Sequence, residues 1–99
     1  MNALDLFRLD GKVAVITGGG RGLGRYVAEA LADAGAGVFL CSRNVETCEQ
    51  VAHGIEERGG RAEVASCDVT RPEDVERVIL AACEAFGGID ILVNNSGVT

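Results

Sequence analysis

Ninety-nine residues include no tryptophan and only one each of proline (Pro72), histidine (His53), lysine (Lys12) and tyrosine (Tyr26). A lone histidine with no ligand-type residue beside it does not make a metal site; His53 reads as a surface position on a helix, and no metal is expected. Aromatics are 4% of the chain while hydrophobics are 47%. The apolar mass is therefore Val, Ala, Leu and Ile, the mix used by buried parallel strands covered by helices. No apolar run approaches the roughly 20 residues that span a bilayer. The first residues lack the basic and apolar regions of a signal peptide. A formal net charge of −6 argues against non-specific binding to nucleic acid or anionic membranes. Cys41, Cys48, Cys67 and Cys83 have no CxxC spacing and sit inside apolar patterns, as reduced and mostly buried thiols of a cytoplasmic protein do.

Glycine is abundant instead, with 14 residues, and it falls between periodic segments as punctuation. Lys12–Thr17 is a short β-branched run, hence a strand. Leu23, Val27, Ala30, Leu31 and Ala34 then recur at helical spacing, with Gly35 as a stop. Val38–Ser42 is a second strand. Val45, Cys48, Val51, Ala52 and Ile55 form the apolar face of a second helix closed by Gly59 and Gly60. Ala62–Cys67 is a third strand. Thr70 and Glu73 have capping-box spacing, Pro72 suits the first turn, and Val75, Val78, Ile79, Ala82 and Phe86 make one stripe ended by Gly87 and Gly88. Ile89–Val93 is a fourth strand, running into Asn94, Asn95, Ser96 and Gly97. The alternation predicts an α/β fold: a doubly wound parallel sheet (Rossmann fold) in the order 3-2-1-4. Residues 1–99 are read as the N-terminal dinucleotide-binding portion of a single such domain. Strands one and four are then neighbours across the switch point, and their C-terminal ends open into the crevice where such sheets bind ligands.

The loop Thr17–Gly24 joins the first strand to the first helix. Glycine there permits a tight turn and close approach of an anion to backbone N–H groups at a helix N-terminus. A GxGxxG fingerprint begun at Gly18 places Leu23 where the third glycine belongs. A P-loop begun at Gly19 has Arg25 and Tyr26 in place of Lys and Ser/Thr. The pattern that fits is TGxxxGxG, on Thr17, Gly18, Gly22 and Gly24.

With Asp68-Val69 after the third strand and Asn94-Asn95-Ser96-Gly97 after the fourth, this pattern resembles the short-chain dehydrogenases/reductases, from about Asp10 to the last residue. The family usually has alanine where Ser96 stands. The resemblance implies that Gly18, Gly22 and Gly24, with Gly20 and Arg21 in the same loop, shape the turn and the approach of a pyrophosphate, and that Leu23 lies beside the phosphates. It implies that Asp68 bonds the adenine edge and Val69 covers the ring. Asn95, Ser96 and Gly97 would line the nicotinamide ribose, while Asn94 ties the backbones of neighbouring strands. An Asx-type turn at Asp68 and a tight turn at Asn94–Gly97 are the alternative readings.

NADP is expected in preference to NAD. NAD-binding units of this class carry an acidic residue about 20 positions beyond the glycines to bond the ribose 2′-OH. Here Ser42 and Arg43 stand at that place, and Arg21 precedes the second glycine. Two guanidinium forks suit a 2′-phosphate; two solvated surface arginines are the alternative.

Enzymes of this family use a Ser and a Tyr-x-x-x-Lys pair. Tyr26 is followed four residues on by Ala30, so no catalytic residue is assigned in this chain. A six-stranded sheet needs about 180 residues; the chain is expected to be part of a longer oxidoreductase and, taken alone, to be inactive and prone to aggregate through an exposed fourth strand. The full protein is expected to transfer hydride between NADP(H) and a small carbonyl or alcohol substrate, as a dimer or tetramer. A non-catalytic nucleotide-binding or regulatory module is the rival.

Overall fold

The computed structural model describes residues 8–95; Ser96 and Gly97, expected at the nucleotide site, lie outside the described residues. The chain runs β1 (Val13–Thr17), α1 (Gly22–Asp33), β2 (Gly37–Ser42), α2 (Val45–Glu57), β3 (Arg61–Ser66), α3 (Pro72–Phe86) and β4 (Ile91–Asn94). The strands form one parallel sheet in the order β3-β2-β1-β4, as the alternating pattern predicts.

Both faces of the sheet are covered, and the period-2 alternation of the strands assigns each residue to a face. Ala14 and Ile16 of β1 with Val38 and Leu40 of β2 pack under α1 and α2, against Ala28, Ala32, Cys48, Val51, Ala52 and Ile55. Val15, Phe39 and Cys41 point the other way and pack against Val78 and Ala82 of α3. The central strands β1 and β2 are therefore buried up to their terminal Thr17 and Ser42, whereas β3 and β4, at the sheet edges, mix partly buried and exposed positions. Leu92 on β4 is 64% exposed.

Three details depart from the sequence pattern. The buried side of α1 is Gly24, Ala28 and Ala32, while Leu23 is exposed and so is Ala30. Gly24 is small because the start of α1 lies almost on the backbone of the loop that precedes it. The expected capping box does not form: α3 has Arg71 at its N-cap with no side-chain cap bond. Pro72 restricts the residue before it to extended backbone, and Arg71 has φ −108° and ψ 112°. The Thr70 hydroxyl donates instead to Asp68 Oδ1 at 2.6 Å.

The third departure is that β4 begins at Ile91, two residues later than its apolar run. Asp90 meets β1 through its side chain as well as its backbone: Val13 N–H donates to Asp90 Oδ2 at 2.9 Å and Asp90 N–H donates to the Val13 carbonyl at 2.9 Å. This clamp starts the β1–β4 pairing at the end of the sheet opposite the glycine loop. Asp90→Ala leaves a partly buried amide without its acceptor and is expected to cost about 1–3 kcal/mol of unfolding free energy. Asp90→Asn, which keeps a carbonyl oxygen there, should cost less. Denaturant melts of the two variants check this, and equal stability of Asp90→Ala and the parent would contradict it.

Cys41, Cys48 and Cys67 are buried, Cys83 is exposed, and all four are free thiols. Burial, with the neighbouring Cys67 thiol adding to it, pushes the Cys41 thiol up to about 12. His53 stands on the outer side of α2 with Nε2 2.8 Å from Glu57 Oε1, as a surface histidine does.

Candidate nucleotide site

Parallel strands that alternate with helices deliver all their C-terminal ends to one edge of the sheet, and there the loops part to leave a crevice. A cavity of about 570 Å³ opens at this edge, lined by Gly18, Arg21, Gly22, Leu23, Ser42, Arg43, Cys67, Asp68, Val69, Thr70 and Asn95. Nine of these are residues singled out from the sequence. Gly20 lies beside this space, on an adjoining cavity of about 280 Å³ that shares Gly18, Arg21, Ser42 and Arg43 with it and adds Asn44 and Thr47. Gly24 lines neither; it is buried in the first turn of α1.

The glycine loop is built from backbone conformation and close contact. Gly18 and Gly22 have φ of 69° and 52°, values that a residue with a Cβ takes only at a cost. They turn the chain from the end of β1 into the start of α1. Gly24 is glycine for a different reason. A Cβ on it would overlap the Gly18 carbonyl oxygen and lie 2.7 Å from Asn95 Nδ2. Arg21 caps the helix with extended backbone and no side-chain bond, and the first turn contains no acidic residue. The N–H groups of Gly22, Leu23 and Gly24 precede the first intrahelical bond of α1 and carry the positive end of its dipole. An anion at this helix start meets backbone donors with few side-chain atoms in the way.

β4 is tied to the loop by two asparagines and a threonine. Asn95 N–H donates to Thr17 Oγ1 at 3.1 Å, and Asn95 Nδ2 donates to the Gly18 carbonyl at 3.2 Å. The Thr17 hydroxyl donates to Asn94 Oδ1 at 3.0 Å. Asn94 joins the neighbouring strands, as expected, by pairing with Thr17 in the β1–β4 register and accepting its hydroxyl, and Asn95 adds a tie from its side chain to the loop backbone.

At the third strand, Asp68 Oδ1 accepts from both the backbone and the hydroxyl of Thr70, the Asx-type turn that was the alternative reading. The turn and a role toward a ligand are compatible, because both bonds fall on one carboxylate oxygen. The Thr70 hydroxyl, then its backbone N–H, hold the Asp68 carboxyl below its ordinary range, and the Arg43 and Arg71 charges act in the same direction. Asp68 is therefore a carboxylate at neutral pH, a pure acceptor. Its own N–H donates to Asp74 Oδ2 at 3.0 Å. Arg77 lies 3.6 Å from Asp74 Oδ1 and donates to the Ser66 carbonyl at 2.7 Å. Asp74 and Arg77 thus brace the strand end from α3. Asp74 sits three residues beyond the N-cap Arg71, where acidic side chains turn back toward free backbone donors; the sequence pattern points to Glu73 instead. Leu23 and Val69, 67% and 37% exposed, provide the cavity's apolar surface, suited to cover a flat ring.

Arg21 and Arg43, 22 positions apart in the chain, line both cavities. The lining of the smaller cavity includes both arginines and no acidic residue.

Comparison with known proteins agrees with this geometry. A family model described as short chain dehydrogenase matches residues 12–99. An oxidoreductase of Mycobacterium tuberculosis is 50% identical over 96 residues, which make up 97% of this chain and 36% of that protein. A metagenomic short-chain oxidoreductase solved in complex with NADP superposes with a TM-score of 0.86 at 40% identity, over 91% of this chain and 41% of that one. A 7α-hydroxysteroid dehydrogenase solved with NADH and 7-oxoglycochenodeoxycholic acid gives a TM-score of 0.90 at 38% identity, over 95% of this chain and 37% of that one. The chain thus spans a little over a third of the length of the relatives it matches.

Proposed function

The chain belongs to the short-chain dehydrogenase family, and from that premise we propose that it is the dinucleotide-binding portion of an oxidoreductase specific for NADP(H). The observation that carries this reading is the placement of Arg21 and Arg43 on one small cavity without a carboxylate. Family membership leaves the coenzyme open, since one solved relative was crystallised with NADP and another with NADH. Charge supports NADP(H): a 2′-phosphate at this cavity would meet two permanently charged planar donors, with no acidic side chain in the lining to repel it.

The donor set fits such a nucleotide along its length. Backbone N–H groups at the start of α1 bind the pyrophosphate. Asp68 accepts from the adenine amino group, and Val69 covers the ring. Asn95, together with Ser96 and Gly97, lines the ribose at the nicotinamide end. The nicotinamide, when bound, supplies the hydride acceptor or donor; the chain's own part is to orient the dinucleotide along the strand ends. The substrate class is a small carbonyl or alcohol. The groups that move its proton lie elsewhere in the polypeptide, because the family's Tyr-x-x-x-Lys arrangement does not occur here. We extend the proposal to a homo-oligomeric cytoplasmic enzyme; three buried free thiols suit a reducing compartment. Among the described residues no helix is long and apolar enough to cross a membrane.

Fluorescence titration of the full polypeptide with NADPH and with NADH tests the reading. Saturable binding with NADPH the tighter by a factor of about ten or more is expected for two charge-assisted contacts. Equal affinities, or tighter NADH, would rule it out.

A further inference from the structure

Gly20 raises a question that phosphate access does not answer. Its φ is not positive, so backbone conformation does not require glycine there. Its nearest neighbours do. A Cβ on Gly20 would overlap Thr47 Oγ1, and would lie 2.8 Å from Thr47 Cβ and 2.9 Å from the backbone nitrogen of Cys48. The glycine loop therefore sits directly on the first turn of α2.

That turn is tied to the end of β2. Asn44 N–H donates to Ser42 Oγ at 3.1 Å, and the Thr47 hydroxyl donates to the Asn44 carbonyl at 3.0 Å. Cys48 has no exposed surface. Burial raises its thiol pKa, and the adjacent Gly20 backbone acts in the opposite direction. A connected wall thus runs from Ser42 through Asn44 and Thr47 to Gly20. Arg43 stands within one end of it and Arg21 follows directly at the other.

We propose that the seating of Gly20 on Thr47 and Cys48 is the positioning element for coenzyme preference: it holds Arg21 and Arg43 at one cavity and so admits a 2′-phosphate between them. Thr47 and Cys48 act through Gly20 rather than as the principal ligands. A side chain on Gly20 lifts the loop from α2 and carries Arg21 away from Arg43. Removing the Cys48 sulfur leaves a gap in the buried packing beneath the same residue, and the loop loses part of its seat. Both changes act first on Gly20 and Arg21 rather than on the Gly22–Gly24 N–H groups that face the pyrophosphate, so a coenzyme without the 2′-phosphate is affected less. This inference rests on the NADP(H) reading above.

The test compares dissociation constants of NADPH and NADH for the full polypeptide and its Gly20→Ala, Cys48→Ala and Cys48→Ser variants, with thermal melts alongside. Gly20→Ala and Cys48→Ala are expected to lower the preference for NADPH over NADH by about five-fold or more. Cys48→Ser, which restores most of the side chain's volume, should recover most of it. Should Gly20→Ala fail to fold, the two Cys48 variants decide the matter alone. Equal weakening of both coenzymes, or a Cys48→Ser variant no better than Cys48→Ala, would reduce the contact to ordinary packing and overturn the proposal. An unaltered preference in Cys48→Ala, with a parent that favours NADPH, overturns this inference and leaves the NADP(H) reading standing. A parent without preference removes both.

Discussion

Replacing Arg43 by aspartate is expected to weaken NADP(H) binding by about 2–3 kcal/mol, roughly 30- to 150-fold, while NAD(H) binding changes only a few-fold. The asymmetry follows from position. Arg43 lies just beyond β2 and lines both the main cavity and the smaller one beside it. A 2′-phosphate there gains charge-assisted hydrogen bonds from the guanidinium. In the variant it loses these and faces a carboxylate. NAD(H) has a hydroxyl at that point, and an acidic residue can accept its proton, as in NAD-binding units of this fold. Arg43 also helps hold the Asp68 carboxyl ionised, but Thr70 does so more strongly, so the adenine contact should persist. Parallel titrations with NADPH and NADH measure the effect, and the same loss for both coenzymes would show that Arg43 is a general surface cation here.

Gly24→Ala is expected to destabilise the fold by about 1–3 kcal/mol and to weaken both coenzymes by roughly ten-fold or more, the order of loss that follows from displacing binding groups by a fraction of an ångström. Two effects oppose each other. Alanine is the better helix former by about 1 kcal/mol, and Gly24 has no positive φ to protect, so on a free helix the substitution would stabilise. Here the new methyl group would overlap the Gly18 carbonyl oxygen and press on Asn95 Nδ2. The carbonyl belongs to the backbone of the loop and cannot rotate aside, so the steric cost is the larger. Relief requires α1 to move outward, which shifts its N–H groups away from the anion and breaks the 3.2 Å bond between Asn95 and Gly18. Chemical denaturation and coenzyme titration report the two consequences separately. A Gly24→Ala chain as stable and as tightly binding as the parent would refute the close-contact argument. The contrast with Arg43→Asp is diagnostic, because one variant should discriminate between coenzymes and the other should not.

Much of the site was legible before any coordinates. The strands end at Thr17, Ser42, Ser66 and Asn94, beside the residues the motifs marked, because a run of apolar residues and the glycine or polar cluster that ends it are neighbours in the chain. The buried face of α1 is less legible: periodicity weighs Leu23 and Ala30 by hydropathy, whereas the buried positions are Gly24, Ala28 and Ala32, and Gly24 is held to small size by the Gly18 carbonyl. Thr70 and Glu73 had the right spacing for a capping box, but spacing does not reveal that Asp68 competes for the same hydroxyl.

The linear order of residues was sufficient for the alternation of strands and helices, the parallel sheet with its reversal between β1 and β4, and the family, since each rests on short-range pattern and on the handedness of crossovers. It did not contain the division of labour among the glycines, the placing of Arg21 and Arg43 on one cavity, or the clamps made by Asp90 and Asn95. Those depend on which surfaces come within a few ångströms once strands far apart in the chain pair in register. Such distances are set by packing of the whole sheet and its helices, and no local propensity encodes them.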